Sequence, residues 1–104
     1  MNQDHIKNRI FESIHVTDPN AEAYLFGSRA RGDAGPESDW DVLILVDEKK
    51  VTNEIEDKFR DKLYNIELET GQIISIFIYP KDYWSRILAH TPLFKKVKKE
   101  GIRL

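Results

Sequence analysis

Residues 24–47 read Tyr24-Leu25-Phe26-Gly27-Ser28-Arg29-Ala30-Arg31-Gly32-Asp33-Ala34-Gly35-Pro36-Glu37-Ser38-Asp39-Trp40-Asp41-Val42-Leu43-Ile44-Leu45-Val46-Asp47. Ala23 to Phe26 is short and apolar and is predicted to be a strand running into Gly27. Ser28 to Arg31 are expected to form one short helical turn. Gly32 to Ser38, with Gly35-Pro36 inside it, reads as a loop. Residues 40–47 are predicted to be a strand, with Val42, Ile44 and Val46 on one face and Leu43 and Leu45 on the other. A strand apolar on both faces is central and covered on both sides.

Outward from this stretch the periodicity changes. Ile6, Ile10, Phe11 and Ile14 recur at helical spacing, which predicts an amphipathic helix over residues 3–15 ended by Asp18-Pro19-Asn20. Val51, Ile55, Phe59, Leu63 and Ile66 predict a second one, stopped near Gly71. Ile73 to Tyr79 reads as a third strand. Pro80 suits the first position of a helix over about 80–89, and Thr91-Pro92 suits the cap and first position of a last helix ending near Gly101. The order α-β-α-β-α-β-α-α argues for one α/β layer domain spanning residues 1–104.

The chemistry gathers in the opening stretch. Asp39 and Asp41, two apart at the head of a strand, point to the same face about 6.5–7 Å apart. Two such carboxylates can converge on Mg²⁺, which takes hard oxygen ligands. Trp40 between them points to the other face and is expected to anchor the strand. Gly27-Ser28 turns the chain from strand to helix, so its N–H groups are available to an anion, Gly allows close approach and the Ser28 hydroxyl adds a donor. Arg31, and less directly Arg29, stands beside that turn as a phosphate partner, with an ion pair to Asp33, Glu37 or Asp39 as the structural alternative. For Ser38 a backbone role is expected. Gly-Ser at a fixed spacing before Asp-x-Asp arises by chance in on the order of one chain in a thousand of this length, so the set is read as functional.

On these residues the chain resembles the minimal nucleotidyltransferases (MNT type) of the DNA polymerase beta-like superfamily, whose signature is Gly-Ser, ten residues, then Asp-x-Asp. Arg31-Gly32 and Ser38 meet the wider form of that signature. The resemblance implies an α/β fold of α+β type, with a small mixed central sheet flanked by helices. It implies Mg²⁺-dependent transfer of a nucleoside monophosphate, AMP from ATP, to a hydroxyl of a protein or small molecule. Gly27 and Ser28 would hold the β- and γ-phosphates, with Arg31 beside them, and Asp39 and Asp41 would bind metal and carry catalysis. Many such proteins are encoded beside a small helical partner of the HEPN type and some act as its antitoxin, so a partner of that kind is implied as well.

One departure bears on activity. The family supplies a third carboxylate from a later strand, and the corresponding strand here, Gln72 to Tyr79, contains no acid. Ser75 is the matching position, with Glu67 or Glu69 as the alternative source. A hydroxyl is a neutral ligand and a poor base at pH 7, so metal would bind more weakly and the attacking hydroxyl would be activated less. The alternative function is therefore a catalytically weak or inactive nucleotide- or partner-binding module, such as an antitoxin.

Composition narrows the classes. The 104 residues are 40% hydrophobic and 33% charged, as in a folded globular protein. A net charge of −2 does not indicate a nucleic-acid partner, and there is no Cys for a disulfide or a thiolate metal site. Lys95, Lys96, Lys98, Lys99 and Arg103 are read as a solvated helix face, with RNA or an acidic partner as the alternative. His5, His15 and His90 lack metal-like spacing. The stretch Met1 to His5 lacks the basic and apolar regions of a leader, and no apolar run approaches a membrane span. A cytoplasmic protein without membrane contact is expected.

Overall fold

The computed structural model describes residues 3–104. Helix α1 covers Gln3–Thr17, strand β1 Glu22–Phe26, the single-turn helix α2 Ser28–Arg31 and strand β2 Trp40–Val46. Helix α3 covers Asn53–Thr70, β3 Ile74–Pro80, α4 Lys81–Arg86, α5 Pro92–Glu100 and β4 Ile102–Arg103. The strands form one sheet in the order β3-β2-β1-β4. β1 runs antiparallel to β2 and to β4, while β2 and β3 are parallel and joined through α3. The sheet is thus mixed, as expected, and parallel β2 and β3 require a long crossover of this kind.

Strand parity builds two cores. Val42, Ile44 and Val46 join Trp40, Ala23 and Leu25 under the stripes Ile6-Ile10-Ile14 of α1 and Phe59-Leu63-Ile66 of α3. Leu43 and Leu45 face the other way and pack with Phe26, Trp84 and Val97 beneath α4 and α5. β2 is accordingly buried on both faces and flanked on both edges.

Element ends follow local chemistry. Thr52 is the N-cap of α3, its hydroxyl accepting the Ile55 N–H, and Gly71 closes that helix at φ 71° by donating its N–H to the Glu67 carbonyl. Val51 consequently lies before the helix but still packs on the core. Thr91 caps α5, with Pro92 in its first turn. Three further expectations need correcting. Phe11 is 44% exposed, because the Ile stripe alone faces the sheet and Phe11 lies at its margin against His15. Pro80 ends β3 and caps α4, since the register carries the strand on to pair Val46 with Pro80. α4 stops at Arg86, and residues 87–91 turn the chain so that Thr91 takes the extended conformation favoured before proline. The two-residue strand β4 has no periodicity of its own and exists because it can pair with β1.

Candidate functional site

Four segments meet at one end of the sheet: the β1–α2 turn, the start of β2, the start of β3 and the last turn of α5. Phe26 pairs with Asp41 across β1 and β2, which sets Gly27 beside Asp41. Asp41 pairs with Ser75 in the parallel register of β2 and β3. The Ser75 hydroxyl donates to Asp39 Oδ2 at 3.3 Å. Asp39, Asp41, Ser75 and the Gly27 turn therefore stand together.

Gly27 is required there twice over. Its φ of 77° lies in the left-handed region, and a Cβ would fall 2.3 Å from Asp41 Oδ2. Burial pushes the Asp41 carboxyl above its ordinary value; Lys96 opposes this, Asp39 adds to it, Arg31 opposes it and Glu100 adds to it. The site thus gathers negative charge in a partly desolvated place.

The Gly27 N–H is already engaged. It donates to Glu100 Oε1 at 3.2 Å. Arg31 Nη1 donates to both oxygens of the same carboxylate, at 2.9 and 3.2 Å, and Arg31 Nε donates to Asp33 at 3.2 Å. Arg31 holds the Glu100 carboxyl below the usual range, assisted by the Gly27 N–H. Lys96 Nζ lies 4.0 Å from the same carboxylate. Neither Glu100 nor Lys96 was identified in the sequence as part of the site. Glu100 lies 73 residues from Gly27. The one available signal was an acid ending a run of lysines.

Arg29 and Arg31 have different surroundings. Arg29 is buried, with its guanidinium 4.8 Å over the Trp40 ring. Its nitrogens donate to the Ser38 carbonyl at 3.0 and 3.2 Å, the Pro36 carbonyl at 3.4 Å and Gln72 Oε1 at 2.9 Å. It ties the 32–39 loop to the β3 side and makes none of the expected ion pairs. The Ser38 hydroxyl accepts the Gly35 N–H at 2.9 Å, the backbone role expected of it. Trp40 faces the α1–α3 core, as expected, and donates its indole N–H to Gln72 Oε1 at 3.2 Å.

Glu67 and Glu69 do not join the pair of aspartates. Glu67 accepts the Ile74 N–H at 3.0 Å, and Glu69 is paired with Arg9 on the α1–α3 side. Among the described residues no group of three or more His, Cys, Asp or Glu side chains is placed to hold a metal ion. No helix among them is long and apolar enough to cross a membrane.

Comparison with known proteins bears on the family and the fold. The sequence profile of the family "Nucleotidyltransferase domain" matches residues 7–103. No curated protein matches. A crystal structure of a toxin–antitoxin with AMP-PNP contains a chain 21% identical, superposing at a TM-score of 0.67 over 93% of this chain and 70% of that one. A variant of the toxin–antitoxin MntA-HpeT gives 22% identity and a TM-score of 0.65 over 94% and 70%. A structure of tri-AMPylated Shewanella oneidensis HEPN toxin in complex with MNT antitoxin gives 17% and 0.63 over 98% and 71%. The profile match, which spans most of the chain, leads to one conclusion: the chain belongs to the nucleotidyltransferase-domain family.

Proposed function

We propose that this protein is a nucleotide-binding module of antitoxin type that pairs with a HEPN-type partner and has little or no AMP-transfer activity. The observation that carries this reading is Ser75: its hydroxyl stands 3.3 Å from Asp39, where the family's third acid is expected. The two aspartates retain a nucleotide site, and the missing carboxylate weakens chemistry more than binding. The AMP-PNP and the toxin–antitoxin assembly found in structural neighbours support both the ligand and the partner.

The oxygen donors here suit Mg²⁺, which commonly binds through one or two carboxylates together with substrate phosphates. Asp39 and Asp41 would hold it, with the Ser75 hydroxyl alongside. The crowded acids, of which Asp41 is half-buried, favour such a cation, because it would offset the burial that pushes Asp41 up. When bound, the metal would neutralise triphosphate charge and make the α-phosphorus more electrophilic. Gly27, Ser28 and Arg31 would position the β- and γ-phosphates. In transfer, the acceptor oxygen forms a bond to the α-phosphorus, the α–β P–O bond breaks, pyrophosphate leaves and the hydroxyl proton passes to solvent. Without an acid at Ser75, the chain offers chiefly positioning and charge neutralisation.

A second reading, efficient AMP transfer to a partner hydroxyl, is favoured by the tri-AMPylated toxin in one neighbour. The test combines calorimetric titration with AMP-PNP and Mg²⁺ and a labelled-ATP transfer assay with the co-expressed helical partner. We expect binding that is lost in the Asp39→Asn/Asp41→Asn double variant, and transfer far below about 1 s⁻¹, the low end of typical turnover. Transfer at or above that rate, abolished in the double variant, would establish the second reading. Absence of AMP-PNP binding to the wild-type protein would defeat both.

A further inference from the structure

Glu100 is the single acid at the end of the run Lys95-Lys96-Val97-Lys98-Lys99. Its side chain is only 13% exposed. Its carboxylate accepts the Gly27 N–H and two contacts from Arg31, with Lys96 at 4.0 Å. A backbone N–H beside a guanidinium fork can serve a carboxylate or a phosphate equally. On the reading above, Gly27 and Arg31 belong to the triphosphate. One internal anion thus holds two of the donors an incoming anion would use.

The carboxylate is held in place by the chain that follows it. Gly101 donates its N–H to the Val97 carbonyl at 2.7 Å, and a Cβ on Gly101 would lie 2.4 Å from that oxygen. Ile102 and Arg103 then pair with Leu25 and Tyr24, and the Leu104 N–H donates to the Ala23 carbonyl at 2.8 Å. The tight exit from α5 and the β4–β1 pairing together aim Glu100 at the Gly27 turn.

We propose that Glu100 is an internal competitor for the nucleotide's phosphates. Seated, it fills the donors of Gly27 and Arg31; a bound triphosphate displaces it, and Arg31 changes partner. This inference rests on the phosphate roles proposed above for Gly27 and Arg31. Because the linkage is reciprocal, nucleotide loosens the 100–104 segment, and anything that frees that segment tightens nucleotide binding.

The test is titration of wild type and Glu100→Gln with AMP-PNP and with inorganic tripolyphosphate, each with Mg²⁺. Glu100→Gln should bind both probes roughly tenfold more tightly, the scale of a charge-assisted hydrogen bond gained by the ligand. Unchanged or weaker binding of AMP-PNP overturns the proposal and, where the wild type binds, leaves the nucleotide-binding reading standing. Tighter AMP-PNP with unchanged tripolyphosphate also overturns it, because Glu100 would then act on the base or sugar. Binding by neither protein overturns this proposal and that reading together. Amide exchange in the wild type guards against a folding defect in the variant. Saturating AMP-PNP should accelerate exchange at residues 101–104, and unchanged or slower exchange there overturns the proposal.

Discussion

At Gly27 a side chain is excluded by contact as much as by conformation, since its Cα faces Asp41 Oδ2. Gly27→Ala should therefore cost about 1–3 kcal/mol of stability. It should also weaken AMP-PNP binding by at least roughly tenfold, the loss of one well-made polar contact; thermal unfolding and titration read the two effects. Ser75 tests the chemistry from the other side. Ser75→Asp restores a carboxylate beside Asp39, and AMP transfer in the labelled-ATP assay should rise by about tenfold to a hundredfold. A variant that binds nucleotide normally and transfers no faster would show that the missing acid does not limit turnover. The spacing of Gly27-Ser28, Asp39 and Asp41 and the parity of β3 make this cluster legible in the sequence itself. Phe26 pairs with Asp41 and so brings Gly27 beside it, and Ser75 follows from the parallel register. Glu100 was not legible, because nothing local to α5 says that its last turn folds back over β1.

At the scale of the element, the 32–39 loop is held by a buried cation. Arg29→Ala would leave the Ser38 and Pro36 carbonyls and the Gln72 amide oxygen with fewer donors and uncover the Trp40 ring. The expected loss is roughly 2–3 kcal/mol, measured as a lower denaturant midpoint. Nucleotide affinity should fall as well, since Ser38 leads directly into Asp39. Arg29→Lys should recover little, because one ammonium cannot span those acceptors. Long elements were readable from pattern: the Ile stripe of α1, the two-faced β2 and the capped α3 and α5 all follow hydrophobic period and capping chemistry. Elements decided by pairing were not. β4 is too short to show a period, and Pro80 reads as a helix start until the register with Val46 claims it for β3.

Across the whole molecule, the two unusual carboxylates pull stability in opposite directions with pH. Asp41 is raised on folding, so the folded state binds its proton more readily. Its contribution improves as pH falls from the raised value through the ordinary aspartate range. Glu100 is lowered, so its contribution is full above the ordinary glutamate range and is lost as pH falls through the folded value. Asp41→Asn should thus be more stable than wild type at neutral pH and lose more stability on acidification across about pH 3–6. Glu100→Gln should lose less over the same interval, and denaturant midpoints taken along the pH series read both.

The separation of Gly27 and Glu100 along the chain has a consequence for synthesis. During translation the turn and both aspartates leave the ribosome first, and Glu100 follows Asp41 by 59 residues, roughly 3–12 s at ordinary elongation rates. For that interval the nascent chain carries its acids without the carboxylate that later covers the Gly27 turn, and the two anions can compete only after Glu100 has followed.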